Sequence, residues 1–167
     1  RRAAAGYRML RGIARGTIER TLAPGGIMCM SSSDGALSNG ADFGDGVSLF
    51  LRANIEGLFG VRLDKPRELL RLEPNFPPAW DSAEIVLPDL GRLAFRKQPV
   101  AGGLRHSYSL ALDAPLRLSA SLPAEGQGRK LTVNGKLLDP TNASNGSSAF
   151  VELDVPAGTS FEISFEC

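Results

Sequence analysis

Leu72 to Leu93 reads LEPNFPPAWDSAEIVLPDLGRL, and within this stretch the chain changes its periodicity. The prolines at 66, 74, 77 and 78 stiffen the backbone and remove hydrogen-bond donors, so the connector follows a defined path. Trp80 is the chain's single tryptophan. We expect it to anchor the connector against a neighbouring layer, and a platform for stacking a sugar is the alternative role. We therefore predict a rigid joint at residues 63–81 between two unlike pieces.

Residues 1–62 have the pattern of helices. The first helix is amphipathic, because apolar or semi-apolar residues recur every three or four positions, at Tyr7, Leu10, Ala14, Ile18 and Leu22. A proline and two glycines at 24–26 end it. The second helix, VSLFLRANIEGLFG at 47–60, is apolar around nearly its whole circumference. Such a helix is buried on most sides, so we predict that further structure covers it.

From about residue 82 the apolar residues alternate, which is typical of strands. The predicted strands lie in EIVLPDLGRLAF, LRHSYSLALD, LRLSASL, KLTV, KLL, AFVELDV and SFEISFE. In the second of these, the even-numbered residues from Leu104 to Leu112, among them His106, share one face. Asn134-Gly135 predicts a two-residue hairpin turn, since both positions favour a positive φ. Several short strands at this spacing predict an antiparallel sandwich.

Composition excludes several classes of function. The 167 residues are 43% hydrophobic and 22% charged, with a formal net charge of +1, so we expect no nucleic acid and no membrane as partner. The single histidine excludes a multi-histidine metal site, and we expect no metal and no cofactor. Cys29 and Cys167 are expected to be unpaired thiols, although a disulfide between them remains open.

The chain opens with Arg1-Arg2, without a methionine or the apolar core of a signal peptide, and its helical pattern begins almost at once. We therefore expect the chain to be a fragment cut from a longer protein.

Ala53 to Lys97 reads ANIEGLFGVRLDKPRELLRLEPNFPPAWDSAEIVLPDLGRLAFRK. Its helix end of the EGLFG type, its connector of the form L-x-P-x-F-P-x-x-W and its strand pair with an internal glycine resemble the C-terminal region of bacterial six-hairpin glycosidase-like proteins. The resemblance extends over about residues 25–100. It implies an α+β fragment, in which the last two helices of an (α/α)6 barrel precede an antiparallel β-sandwich. The domains would be barrel helices at 1–62, the joint at 63–81 and the sandwich at 82–167.

The resemblance also implies a place for chemistry, the polar and glycine-rich loop from Cys29 to Gly46, which would line the substrate cleft. Asp34, Asp42 and Asp45 are its candidate catalytic residues, and Asp34, Asn39 and Asp42 its candidate substrate-binding residues. Glycoside hydrolysis needs two carboxyl groups, and this loop supplies at most one, so we expect the fragment alone to be inactive. Asp45 has a competing role as a helix cap, and Asp34 and Asp42 as turn formers.

Glu56 and His106 are weaker candidates. Glu56 lies in an apolar helix, where a structural carboxylate satisfied by a partner is favoured over a functional acid. His106 lies on the apolar face of its strand and has no carboxylate or cysteine nearby in the sequence, so a core or edge position is favoured.

Two functions from different classes follow. In the first, the chain is the C-terminal part of a carbohydrate-active glycoside hydrolase, its sandwich supports the catalytic barrel, and its partners are a carbohydrate and the missing N-terminal barrel portion. The resemblance points to a periplasmic or extracellular location. The alternative is a non-catalytic carbohydrate-binding or structural interaction module, against which the low aromatic content of 7% counts.

Overall fold

The computed structural model describes residues 3–19, 30–31, 37–39, 44–101, 103–123, 130–137 and 150–166. The chain divides into two compact units. The helical unit comprises Arg1–Gly60 and Asn75–Pro78, and the sheet unit comprises Val61–Pro74 and Ala79–Cys167. The fold is therefore mixed α+β, and the described residues form two α-helices and one large, mostly antiparallel sheet.

Helix α1 spans Ala3–Glu19 and confirms the first predicted helix. Of its predicted apolar stripe, Tyr7, Leu10 and Ala14 are half-buried, whereas the arginines at 8, 11 and 15 are exposed. The side chain of Ile18 and the whole of Leu22 lie outside the described residues. The amphipathic pattern thus identified the inward face of α1.

Helix α2 spans Gly44–Arg52 and continues into a π-helix at Ala53–Leu58. The backbone N–H of Phe59 donates to the carbonyl of Asn54, five residues earlier, over 2.9 Å. Gly60 follows at a φ of 70°, a left-handed conformation that glycine adopts without steric cost. The predicted second helix is therefore present, and it ends at the predicted glycine, but its second half has the wider π-turn.

The large sheet contains eight strands, β3 to β10 in chain order. Their bounds are Val61–Asp64, Leu69–Leu72, Ser82–Leu87, Gly91–Val100, Gly103–Pro123, Lys130–Val133, Lys136–Leu137 and Phe150–Glu166. The order is β3-β4-β7-β10-β8-β9, and β5 and β6 join the sheet through β7. Within the described residues of this sheet, β4 and β7 are parallel and the other strand pairs are antiparallel.

Strands β7 and β10 are each longer than the sequence predicted, because LRHSYSLALD and LRLSASL form one strand, as do FVELDV at 150–155 and SFEISFE at 160–166. Pro115 does not end β7. Residues 113–115 of β7 have no pairing partner on β4, β6 or β10. The missing N–H of this proline therefore costs no hydrogen bond between strands. Pro156 is tolerated in β10 in the same way, because it lies where the register shifts between Val155 and Gly158.

The core of the sheet unit lies on one face of these long strands. On β7 the buried residues are all even-numbered, in line with the face predicted for its first half; they are His106, Tyr108, Leu110, Leu118, Ala120 and Leu122. On β10, Leu153, Phe161 and Ile163 are buried opposite them. Asn134 and Gly135 have φ angles of 49° and 73°, which confirms the predicted turn between β8 and β9.

The predicted joint contains two strands that the sequence did not reveal. Strand β3 ends inside it, and β4 pairs with β3 on one side and with β7 on the other. Between them lies a turn of 3-10 helix at Lys65–Arg67 that includes Pro66. The later part, residues 73–81, has no regular structure until β5 begins at Ser82.

Candidate functional site

The loop predicted to line a cleft contains a small antiparallel sheet. Strand β1, Met30–Ser31, pairs with β2, Leu37–Asn39, and Met30 is opposite Asn39. Asn39 therefore ends a strand. The intervening residues 32–36, which include Asp34, lie outside the described residues, as do Cys29 and Asp42.

Asp45 is the second residue of α2, so its backbone belongs to the first helical turn. The first turn of a helix carries backbone N–H groups without intrahelical acceptors, which gives it a partial positive charge. Acidic residues and the hydroxyls or anionic groups of ligands are stabilised there. Of the candidate site residues, the structure thus places Asn39 on β2 and Asp45 on α2. Their side chains, and any contact between them, lie outside what is described.

Part of the apolar surface of α2 is exposed. Leu49 and Leu51 expose 65% and 53% of their surface. Residues two apart on an α-helix point in very different directions, so α2 is open to solvent on more than one side. Leu58, in the following π-turn, is buried.

Glu56 has a defined partner in the π-turn. Its Oε1 accepts a hydrogen bond from Nε of Arg52 over 2.9 Å, and its side chain is 33% exposed. Two residues before Glu56, Nδ2 of Asn54 donates to the backbone carbonyl of Phe50 over 2.8 Å. The glutamate is therefore a paired carboxylate, which is the structural role that the sequence favoured. The four-residue spacing of an arginine and a glutamate was the signal for this pair.

The sheet unit carries further charged pairs. Nη2 of Arg92 donates to Glu84 across β5 and β6 over 2.5 Å, and Arg105 binds Glu166 across β7 and β10. The hydrogen bond to Glu84, and then the charge of its carboxylate, raise the pKa of the Arg92 guanidinium. Each pair joins oppositely charged side chains on neighbouring strands, so these pairs are suited to fixing the register of the strands.

His106 is buried on the core face of β7, as the sequence favoured. Its ring centroid lies 6.1 Å from that of Phe95, and Phe95 lies 5.1 Å from Tyr108. The histidine thus belongs to an aromatic cluster of the core. Over the part of the chain that the structure describes, no group of three or more histidine, cysteine or acidic residues has a metal-binding arrangement. None of the described helices has the length and hydropathy of a membrane span.

A search against family models finds no match to this chain, and a search against curated proteins finds none. Among solved structures, an α-L-rhamnosidase from Dictyoglumus thermophilum is similar with a TM-score of 0.47 and 14% identity, over 79% of this chain and 15% of that one. A glycoside hydrolase is similar with a TM-score of 0.36 and 15% identity, over 56% of this chain and 16% of that one.

A GH127 β-L-arabinofuranosidase from Geobacillus stearothermophilus T6 is similar with a TM-score of 0.39 and 10% identity, over 85% of this chain and 23% of that one. These three neighbours are thus glycoside hydrolases at low identity. The chain spans less than a quarter of the length of each.

Proposed function

We propose that this chain is the C-terminal part of a carbohydrate-active, glycoside hydrolase-like protein. In this proposal α1 and α2 are the last two helices of an (α/α)6 barrel, and the sheet unit is a sandwich that supports the barrel. The observation that carries it is the exposure of Leu49 and Leu51 on different sides of α2. A helix that is apolar all round is stable where other helices surround it, and the sequence from Ala53 to Lys97 resembles the end of such a barrel.

The pairing of β7 supports the sandwich part of the proposal. Along one edge, β7 pairs with β6 as far as Leu112 and with β4 from Arg117. Along its other edge it pairs with β10, whose register shifts between residues 155 and 160. The change of partner along β7 and the register shift of β10 lie at the same level, and irregularities of this kind allow the two strands to bend together. A bend there would place the two buried halves of β7 on facing sheets.

The reading frame upstream of the codon for Arg1 tests the proposal directly. The proposal expects it to continue through further paired amphipathic helices. In the extended protein, hydrolysis of aryl glycosides is then measured for Asp34→Asn, Asp42→Asn and Asp45→Asn. An acid or base that acts in the reaction loses about 10²–10⁴-fold in rate on neutralisation, whereas a turn former or cap does not. A start codon next to Arg1 would contradict the proposal.

The exposed face of α2 gives a second test in the chain as it stands. We expect the chain to self-associate through this face, and Leu49→Lys with Leu51→Glu to reduce that association without changing net charge. Val86→Lys with Leu137→Glu is the matched control, because Val86 and Leu137 are similarly exposed, at 66% and 67%, but lie on β5 and β9 of the sheet unit. Sedimentation over a range of concentrations measures the effect. A wild-type chain that stays monomeric throughout would contradict it.

A non-catalytic carbohydrate-binding module is the second candidate, and the half-buried state of Trp80 favours it. An indole with part of its face open can stack on a pyranose ring. Because Trp80 is the single tryptophan, its fluorescence reports on this position alone. We expect saturable quenching by oligosaccharides if the module binds them there, and no change if Trp80 only packs the connector.

A further inference from the structure

The turn between β8 and β9 combines an exposed asparagine with a glycine. Asn134 and Gly135 are both exposed. A side-chain carbon added to Gly135 would meet no atom within 4 Å, so the space around its backbone is open. The backbone nitrogen of a glycine is the least hindered backbone nucleophile that can attack the side-chain amide of the preceding residue, because glycine has no Cβ.

We propose that Asn134 is a site of spontaneous deamidation, and that the folded hairpin restrains the reaction. The backbone nitrogen of Gly135 attacks Cγ of Asn134, and the new N–Cγ bond replaces the bond from Cγ to Nδ2. The amide nitrogen leaves as ammonia and carries away the proton of the attacking nitrogen. Water then opens the cyclic imide at either carbonyl, which leaves an aspartate or an isoaspartate at this position.

The restraint comes from contacts between Asn134 and strand β10. Oδ1 of Asn134 accepts the backbone N–H of Glu162 over 2.8 Å, and the backbone N–H of Asn134 donates to the carbonyl of Glu162 over 2.7 Å. The side chain thus stands in for a strand carbonyl and extends the ladder that pairs Val133 with Ile163. With Oδ1 held toward β10, Cγ is not free to rotate toward the nitrogen of Gly135.

Two effects of this hydrogen bond oppose each other. A donor on Oδ1 polarises the carbonyl and would favour attack, as a donor in an oxyanion hole does. The attacking atom must nevertheless reach a narrow range of positions above the carbonyl, and misplacement by about 1 Å costs on the order of 10²-fold. Orientation therefore outweighs polarisation, and the turn reacts when it opens.

The two products differ in what the turn can tolerate. An aspartate keeps an oxygen that can accept the N–H of Glu162, so the turn is preserved. An isoaspartate routes the main chain through the former side chain and adds a methylene to a two-residue turn. That extra carbon is incompatible with the φ angles of 49° and 73° that join β8 to β9. Formation of the isoaspartate would thus release the edge strand β9.

The rate of deamidation at Asn134 is measured by peptide mass spectrometry on the whole chain, incubated in mildly alkaline buffer with and without urea. Asn39 and Asn145 also precede glycines, and in urea they calibrate the chemistry of this dipeptide. We expect Asn134 to react like them in urea, and at least about tenfold more slowly in the native chain, which corresponds to an opening free energy of about 1.4 kcal/mol.

A variant sharpens the test. Oγ1 of Thr132 lies 2.8 Å from Oγ of Ser164, so Thr132→Val removes this link between β8 and β10 at nearly constant shape. We expect Thr132→Val to accelerate the native reaction a few-fold and Thr132→Ser to leave it near the wild-type rate. A native rate equal to or above the rate in urea would overturn the restraint. An Asn134 that stays intact in urea while the other two react would overturn the site itself.

Discussion

The helical unit and the sheet unit differ in what they do with their large apolar side chains. In the sheet unit Leu70, Leu72, Leu118, Leu122 and Ile163 are almost completely buried. In the helical unit Leu58 is buried, but Met9, Leu49 and Leu51 are largely exposed. Among the described residues, the sheet unit thus buries most of its large apolar side chains and exposes Val86 and Leu137, whereas in the helical unit more of them are exposed than buried. The difference teaches that most of the described apolar core lies in the sheet unit, and it supports the proposal that a further surface covers the helical unit.

Substitutions of core and surface residues test that difference most strongly. Ile163 is fully buried on β10, between Tyr108 of β7 and Val133 of β8, so Ile163→Ala should lower the free energy of unfolding by about 2–5 kcal/mol. Leu49→Ala removes a similar volume from the exposed face of α2 and should change it by less than about 0.5 kcal/mol.

Urea unfolding measures the change for Ile163→Ala when it is followed by the fluorescence of Trp80, which lies in the sheet unit. Far-ultraviolet circular dichroism, which reports the helices as well, measures the change for Leu49→Ala. A large loss on Leu49→Ala would mean that α2 is packed in solution, and it would break the comparison.

Two glycine-to-alanine substitutions should change the free energy of unfolding by smaller amounts, and in opposite directions in the two units. Gly91 has a φ of 122°, and an added Cβ would lie 2.1 Å from the carbonyl oxygen of Ala111 on β7. Gly91→Ala should therefore destabilise the chain by about 1–3 kcal/mol. Gly6, on α1, has no neighbour near an added Cβ, so Gly6→Ala should stabilise the helix by about 0.5–1 kcal/mol. Thermal unfolding of the two variants against wild type decides, and a tolerated Gly91→Ala would contradict the close approach of β6 and β7.

The local features of both units followed from the sequence. The inward face of α1, the buried even-numbered residues of β7 and the Asn134 turn each depend on residues that are close along the chain, so periodicity and turn chemistry predicted them. The strands β3 and β4 did not follow, because β4 depends on a parallel pairing of Leu69 with Arg117, far along the sequence. The continuity of β7 past Pro115 also depends on the absence of partners there, which only the sheet topology reveals.

The candidate site was less accessible to prediction than the fold. Asp34, Asn39, Asp42 and Asp45 were selected from a resemblance, and cleft residues are brought together by the backbone of a whole barrel, which local pattern does not encode. Asp34 and Asp42 lie outside the described residues, so their roles stay predictions. Glu56 and His106 were predictable because an arginine one turn away and an apolar strand face are local signals.

The smallest changes in the free energy of unfolding are expected when an asparagine of each unit is replaced by alanine. In the sheet unit, Asn134→Ala removes the acceptor of the Glu162 N–H and puts alanine in a left-handed conformation that asparagine tolerates better, at a cost of about 1–2 kcal/mol. In the helical unit, Asn54→Ala removes the hydrogen bond from Nδ2 to the Phe50 carbonyl, about 0.5–1 kcal/mol. Alanine recovers roughly 0.5 kcal/mol there through its higher helix propensity.

The net change for Asn54→Ala should therefore lie near zero. Asn134→Gly is the control for Asn134→Ala, because it accepts the positive φ but still lacks Oδ1, so the difference between the two isolates the backbone cost from the hydrogen bond. Urea unfolding measures all three variants. If Asn54→Ala proved more costly than Asn134→Ala, the side chain of Asn54 would be needed to hold the π-turn. The helical unit would then depend on its own polar contacts as much as the sheet unit does.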